Sequence, residues 1–337
     1  MITPQELDAM RTLASRMLRL GTPGTLSTLF AARGSTYRPL GSMMVGLPGR
    51  RAGGITAGCL EDYIVRVGER DTRKASATML HFGTHPYSGD NALVLGCGES
   101  IDVLVERLTF EHLEFLEEFS AAAERDEGSL LACMVCRNGQ HLSVTREWVR
   151  SADGQTTTAS DNDILVQYVP PITRLVILGA DDDAKPLCEI GASLGWHVSV
   201  ADRRARYATK GRFPQARVVF AGDWDEAVES IRFSPRTAVV LMAHSLDGDA
   251  SVLRRLSRRC LAYVGALGPA HRRQWLLAQA SALGIPVHEP TVQMLHGPIG
   301  LDLGARSSAG IAIAVAAEIL ACFNRRQAQS PVANVGA

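Results

Sequence analysis

The chain has 337 residues, 46% of them hydrophobic and 21% charged, which is the composition of a globular protein long enough for two domains of about 150 residues each. Lysine and arginine balance aspartate and glutamate, so the net charge is zero and nonspecific binding to nucleic acid or to an anionic membrane is not expected. Seven cysteines scattered over this length do not resemble a disulfide framework, and they favour a reducing compartment, the cytoplasm.

The N-terminal region is predicted to begin with a helix and to continue as strands. Thr3, Pro4 and Glu6 supply a capping hydroxyl, a first-turn proline and a capping-box carboxylate, so a helix should run to about Leu20. Alternating or β-branched residues then predict strands, with a hairpin turn at Asn138-Gly139. The strands are expected at residues 25–31, 42–45, 100–108, 129–136 and 141–145. We interpret residues 1–168 as a mixed α+β domain.

The pattern changes beyond Pro170-Pro171, where continuously apolar runs alternate with segments of helical length. That rhythm is typical of a Rossmann-like, doubly wound parallel sheet, which we assign to residues 169–325. The runs are residues 174–178, 197–201, 217–220, 237–242 and 261–264. The apolar stretch 309–323 is interrupted by Glu318 and is too short to span a bilayer, so it indicates a buried helix. Residues 326–337 are predicted to be a flexible tail.

The loop after the first apolar run has the Rossmann layout without its later glycines. Gly179 ends the run, and Asp202 follows at the distance where an acid holds the ribose of a dinucleotide. Asp181, Asp182 and Asp183 follow the first glycine, and three carboxylates suit the helix dipole better than they suit a phosphate. A structural helix without nucleotide affinity is one interpretation, and a nucleotide site assisted by a metal is the other.

A turn between two predicted N-terminal strands is a candidate anion site. Gly34, Ser35, Tyr37 and Arg38 combine backbone freedom, hydroxyl groups and a guanidinium within this turn. Such groups receive phosphates and carboxylates in proteins, so the turn is a candidate cradle for an anion.

Two glycine-flanked cysteines are candidate ligands. Cys59 follows the glycine-rich residues 53–58 and precedes apolar residues at helical spacing, so it is expected at a helix N-terminus. That position favours the thiolate, a nucleophile or a soft-metal ligand, whereas the alternative is a small buried apolar residue. Cys97 lies between glycines just before a predicted strand, where small neighbours permit close approach of a ligand.

Polar residues of the second domain supply further candidates. His244 and Asp247 follow the predicted fourth strand, where they could act as acid or base or could be structural. Arg272 and Arg273 could meet a phosphate or lie on a solvated helix face. The glycine-rich residues 297–304 are expected to form a loop facing the interdomain cleft.

Together these motifs resemble the XdhC/CoxI family, and they span nearly the whole chain. The chain departs from the family's pattern at three places. Asp181 and Asp182 replace a Gly-His pair, Ala57 replaces a glycine, and Glu99 replaces the last glycine of Gly-Cys-Gly-Gly. The motifs that carry the resemblance are Gly34-Ser35-Thr36-Tyr37-Arg38-Pro39, Ala57-Gly58-Cys59-Leu60-Glu61, Gly96-Cys97-Gly98, Ala243-His244-Ser245-Leu246-Asp247 and residues 263–268 and 296–304.

The resemblance implies an accessory protein of xanthine dehydrogenase and related molybdenum hydroxylases. Such a protein binds the molybdenum cofactor, as molybdopterin or its cytosine dinucleotide form, and inserts it into the apoenzyme. It implies a cysteine desulfurase as a second partner, and the apolar C-terminal helix suggests a homodimer. Cys59 is then the expected metal ligand. The candidate cofactor-binding residues are Gly34, Ser35, Tyr37, Arg38, Gly58, Cys59, Glu61, Cys97, Gly98, His244, Asp247, Gly300 and Asp302.

An NAD(P)-dependent oxidoreductase is the alternative function. It would use the Rossmann-like domain, with His244 as acid or base. A cofactor carrier needs no general base, so we expect a cofactor-binding chaperone rather than an enzyme. Binding of a nicotinamide nucleotide distinguishes the two.

Overall fold

The computed structural model describes residues 2–34, 36–83, 100–139, 141–151, 154–159, 163–243, 246–256, 259, 261–269, 271–284 and 289–324. The chain forms two compact units, Met1–Pro171 and Ile172–Ala337. The predicted flexible tail, residues 326–337, lies outside the described residues. Within the described part of the chain, no helix has both the length and the apolar character that a bilayer span requires.

The N-terminal unit combines helices with two antiparallel sheets. Its elements are α1 (Pro4–Arg19), β1 (Thr25–Arg33), β2 (Met43–Leu47), β3 (Arg50–Gly53), α2 (Glu61–Thr72), β4 (Ala77–Phe82), β5 (Ser100–Arg107), α3 (Phe110–Ala123), β6 (Ser129–Asn138), β7 (His141–Arg150), β8 (Thr157–Ala159) and β9 (Ile164–Val169). One sheet has the order β3-β2-β1-β5-β4, and the other has the order β7-β6-β9-β8.

Helix α1 begins with the predicted capping box. The Glu6 amide donates to Thr3 Oγ1 at 3.1 Å, and the Thr3 amide donates to Glu6 Oε2 at 3.0 Å. Both groups would otherwise lack partners at the helix start, so the pair fixes where the helix begins. The helix buries one apolar face, which includes Met10 and Ala14.

The two sheets of the N-terminal unit share a layer of apolar side chains. Phe30 and Leu104 of the first sheet belong to one buried cluster with Cys133 and Val135 of β6. Because successive side chains of a strand point to opposite faces, Cys136 lies on the other side of β6 and is exposed. This alternation fixes which residues of β6 face the first sheet.

The C-terminal unit is a parallel six-stranded sheet of Rossmann type, as predicted. Its elements are β10 (Arg174–Leu178), α4 (Ala184–Ser193), β11 (His197–Asp202), β12 (Val218–Ala221), α5 (Trp224–Ser230), β13 (Thr237–Leu241), α6 (Leu246–Leu256), β14 (Tyr263–Ala266), α7 (Arg272–Ala282), α8 (Glu289–Met294), β15 (Leu295–His296) and α9 (Ser308–Phe323). The strand order is β12-β11-β10-β13-β14-β15.

Helices cover both faces of this sheet. Leu175 and Ile177 of β10 pack in a cluster with residues of α4 and α9. Val176 and Leu178 pack on the opposite face with residues of α5, α6 and α7. Burial on both faces explains why the strands are continuously apolar in the sequence.

Candidate functional site

Cys59 lies on an exposed turn between β3 and α2. Leu60 is the N-cap of α2, so the thiol lies just before the helix, as the glycine-rich pattern predicts. Ile55 and Leu60 are buried in the core at the two ends of the turn, while Cys59 is exposed. The thiol donates to Thr56 Oγ1 at 3.5 Å. An exposed thiol is open to a ligand, which the buried alternative would not be.

The Glu61 carboxylate braces this turn from the inside. Glu61 is only 2% exposed. It accepts hydrogen bonds from the amide and hydroxyl of Thr56, both at 2.7 Å, and longer ones from the amides of Ile55 and Leu60, at 3.2 and 3.3 Å. Burial alone would raise the pKa of Glu61, but the hydrogen bonds from Thr56 and the backbone outweigh it and lower the pKa. Glu61 therefore shapes the turn that presents Cys59.

The predicted anion turn lies beside the turn of Cys59. The Arg38 guanidinium packs on Gly54, where an added Cβ would lie 3.3 Å from Arg38 Nε. Arg38 also forms an ion pair of 2.7 Å with Glu6. Gly34 has a φ of 97°, in the left-handed region that favours glycine, and Tyr37 is 80% exposed. The two predicted motifs are thus neighbours in the folded N-terminal unit.

Several candidate residues lie outside the described part of the chain. These are Ser35, Cys97, Gly98 and His244. Asp247 lies in the first turn of α6. Gly58, in contrast, is described: it has a φ of 110° and would accept no side chain without backbone strain.

Gly179 is required by the close approach of two loops in the C-terminal unit. Its φ is 118°, and an added Cβ would lie 2.6 Å from the amide nitrogen of Ala243. The next amide, of Ala180, donates to Asp202 Oδ2 at 2.8 Å. Asp202 is buried and also accepts three hydrogen bonds from Arg204, one from its amide and two from its guanidinium. Asp202 occupies the position whose carboxylate holds a ribose in dinucleotide sites, and here that carboxylate is hydrogen-bonded to the protein itself.

The three consecutive acids are also engaged by neighbouring side chains. Arg204 donates to Asp181 at 3.0 Å, and Arg212 donates to Asp182 at 3.0 Å. Arg212 also donates to the carbonyl of Ala180 at 3.1 Å. The Asp183 carboxylate accepts a hydrogen bond from the Ser308 hydroxyl at the start of α9. These contacts favour the interpretation of a structural loop over that of a phosphate site.

The two arginines of α7 are bound to other parts of the C-terminal unit. Arg272 donates to the carbonyl of Ala243 and to the buried carboxylate of Asp249, both at 2.6 Å. Arg273 donates to the carbonyl of Leu295 at 2.8 Å. Both side chains thus serve the packing of α7, which neither of the two sequence interpretations anticipated.

A polar network that sequence reasoning missed is centred on Glu318 of α9. Its carboxylate accepts hydrogen bonds from the Tyr263 hydroxyl and, at 2.8 Å, from the amide of Gly300. His296 Nδ1 lies 3.1 Å from the same carboxylate, and its ring stacks on Tyr263. Gly300 therefore belongs to a loop anchored by Glu318, and the exposed Asp302 lies in the same loop. The sequence feature that could have indicated this network is the single acid, Glu318, within an otherwise apolar helix.

The described residues contain no cluster of three or more histidine, cysteine, aspartate or glutamate side chains that could hold a metal ion. A metal bound at Cys59 would therefore have to bring its other ligands with it, because no cluster of described side chains supplies them.

Two family models match separate parts of the chain. The XdhC and CoxI family matches residues 17–83, which include Cys59, and the XdhC Rossmann domain matches residues 175–319. These matches correspond to parts of the N-terminal and C-terminal units.

Two curated relatives are similar over most of their length. One, from Bacillus subtilis (strain 168), is named as a probable xanthine dehydrogenase subunit; it is 26% identical over 328 residues, covering 92% of this chain and 96% of the relative. The "Molybdenum cofactor insertion chaperone PaoD" of Escherichia coli (strain K12) is 25% identical over 312 residues, covering 91% of this chain and 85% of the relative. Among solved structures, a xanthine dehydrogenase from Bacillus halodurans has a TM-score of 0.76 at 22% identity, covering 97% of this chain and 98% of that one. That likeness concerns the fold.

Proposed function

The chain belongs to the XdhC and CoxI family, and on that premise we propose that it binds the molybdenum cofactor and delivers it to a xanthine dehydrogenase-type molybdenum hydroxylase. The observation that carries the proposal is the exposed Cys59 thiol on a turn held by Glu61. A carrier must expose its ligand, and a thiolate is a soft ligand suited to a metal that is bound by sulfur. Similarity to a relative named as an insertion chaperone supports the same function.

The neighbouring turn supplies the second contact in this proposal. The cofactor is a pterin with a phosphate, and the Arg38 guanidinium lies against Gly54, in the glycine-rich segment that leads to Cys59. Guanidinium groups and backbone amides are the usual ligands of phosphate. Metal and phosphate would thus be held by adjacent turns of one unit. The hydroxylase apoenzyme, a cysteine desulfurase and a second copy of the chain are the proposed partners.

Retention of the cofactor tests the role of Cys59. Purified protein is mixed with molybdenum cofactor and passed through a size-exclusion column, and the retained pterin is measured by its fluorescence after oxidation. Wild type should retain the cofactor, and Cys59→Ser should lose most of it. Cys136→Ser is the matched control, because Cys136 is also exposed and lies on β6, outside the turn. Equal retention by Cys59→Ser and wild type, or no retention by either, would contradict the proposal.

Nicotinamide binding tests the oxidoreductase alternative. Because the Asp202 carboxylate, at the position that would hold a ribose, already accepts hydrogen bonds from Ala180 and Arg204, titration with NADH or NADPH should give no tight binding by fluorescence. Tight binding of either nucleotide would favour the enzyme instead.

A further inference from the structure

The N-terminal unit contains a cavity of about 340 Å³ whose described lining residues do not belong to the Cys59 turn. Residues of β1, β4, β5 and the end of β6 line it. Its volume lies at the lower end of the range of roughly 300–1,000 Å³ that is usual for small-molecule sites. The cavity is therefore large enough for a compact ligand.

The register of the first sheet brings polar side chains together on one wall of this cavity. Ala31 of β1 is paired with Asp102 of β5, and Asp102 is paired with His81 of β4. Arg33 and Ser100 form another pair two residues along these strands. Residues two apart on a strand share a face and lie roughly 7 Å apart, so these side chains project into the same space.

The second sheet contributes an arginine to the opposite wall. Cys133 and Val135 of β6 point into the apolar layer between the sheets. Arg137, two residues further along β6, continues the same side of the strand and lines the cavity. Met79 belongs to the cavity lining and also packs against the apolar layer. The space between the sheets thus changes from apolar at its floor to basic at its opening.

The charges at this opening favour an anion. His81 Nδ1 lies 2.7 Å from Asp102 Oδ1, and this hydrogen bond raises the pKa of His81 while it occupies the carboxylate. Arg137 Nε lies 3.8 Å from Asp163 Oδ1, a long ion pair, and the Arg137 side chain is 52% exposed. Arg33 is exposed as well. Among the described residues, two guanidinium groups and an imidazole thus lie near two carboxylates: Asp102 is hydrogen-bonded to His81, and Asp163 forms a longer ion pair with Arg137.

We propose that this cavity binds a small organic phosphate monoester, with its phosphate at Arg33, Arg137 and Ser100 and its organic part against Met79. Guanidinium groups form paired, charge-assisted hydrogen bonds with phosphate oxygens. A phosphate has three terminal oxygens for these donors, whereas a carboxylate has two. The apolar floor gives an ester an advantage over inorganic phosphate.

Isothermal titration of the full-length protein with phenyl phosphate, at ionic strength held constant with sodium chloride, tests the proposal. One molecule should bind per chain, and Arg33→Gln and Arg137→Gln should each weaken binding about tenfold or more. Arg50→Gln is the matched control, because Arg50 is also exposed but lies on β3, at the other edge of the same sheet. Ser100→Asp, which places a carboxylate beside the phosphate, should abolish binding and provides a variant that retains both arginines.

Comparison of probes identifies the ligand class. Inorganic phosphate should bind more weakly than phenyl phosphate, and benzoate should bind more weakly still. Binding of phenyl phosphate that is absent, or equal in wild type and all three site variants, would overturn the site. Inorganic phosphate or benzoate binding as tightly as phenyl phosphate would overturn the assignment to a phosphate ester. Cys59→Ser should bind phenyl phosphate as tightly as wild type does. The result at this cavity is therefore independent of the result for the proposed cofactor site.

Discussion

Replacement of Glu61 by glutamine tests whether one carboxylate holds the turn of Cys59. Oε1 accepts from the amides of Ile55 and Thr56, and Oε2 accepts from the Thr56 hydroxyl and the Leu60 amide. A glutamine oxygen can keep the first pair, but its amino group cannot accept from Leu60, and the charge that strengthens the two 2.7 Å bonds is lost. We expect a loss of about 2 kcal/mol in the free energy of unfolding, and roughly twice that for Glu61→Ala.

The pH dependence of this difference has a defined sign. The pKa of Glu61 is lowered from 4.5 in the folded protein, so the carboxylate contributes stability above that pH and loses it as the pH falls through the lowered value. The difference between wild type and Glu61→Gln should therefore be full at neutral pH and shrink in acid.

Urea unfolding at neutral pH and in acid measures both effects. Asp62→Asn is the matched control, because Asp62 is the next residue of α2 and its side chain is 86% exposed in an ion pair with Arg51. That variant should change the free energy of unfolding by less than about 1 kcal/mol. A Glu61→Gln protein as stable as Asp62→Asn, or a difference that persists unchanged in acid, would refute the role assigned to Glu61.

Two further predictions concern side-chain chemistry in the folded state. Iodoacetamide should alkylate Cys59 in the native protein, whereas Cys133 and Cys188 should react only after unfolding, because burial raises the pKa of each of these two thiols to about 11. Peptide mapping by mass spectrometry measures the labelling. Labelling of either buried thiol in the native protein would contradict the described packing. Asp102→Asn should lower the pKa of His81, because the hydrogen bond that the imidazole donates to the Asp102 carboxylate raises this pKa. A raised histidine pKa gives stability that is present at low pH and lost as the pH rises through that value, so the variant should lose less stability over this range. An unchanged pKa of His81 in an NMR titration of the variant would show that the pair does not form in solution.

The sequence predicts the fold best where one local pattern dominates. Continuous apolar runs anticipate the parallel sheet, because its strands are buried on both faces. The last predicted run, 261–264, is displaced: β14 is Tyr263–Ala266, since Gly265 and Ala266 pair with β13 despite their low strand propensity. Strands β3, β4, β8 and β9 are not predicted from the sequence, and in β9 the polar Gln167 is buried at an inward position.

The candidate site shows where the same reasoning ends. The glycines before Cys59 are a local signal, so they predict its position at the start of α2. The partners of the acidic loop are not local: Arg204 and Arg212 follow Asp181 and Asp182 by more than twenty residues, and only the parallel register of β10 and β11 brings Arg204 to the loop. The excess negative charge of the loop can be read from the sequence. Whether that charge binds a metal or is neutralised by other side chains depends on the ion pairs with Arg204 and Arg212, which the sequence does not reveal. Because the neutralising groups come from the chain itself, the loop needs neither nucleotide nor metal to be stable.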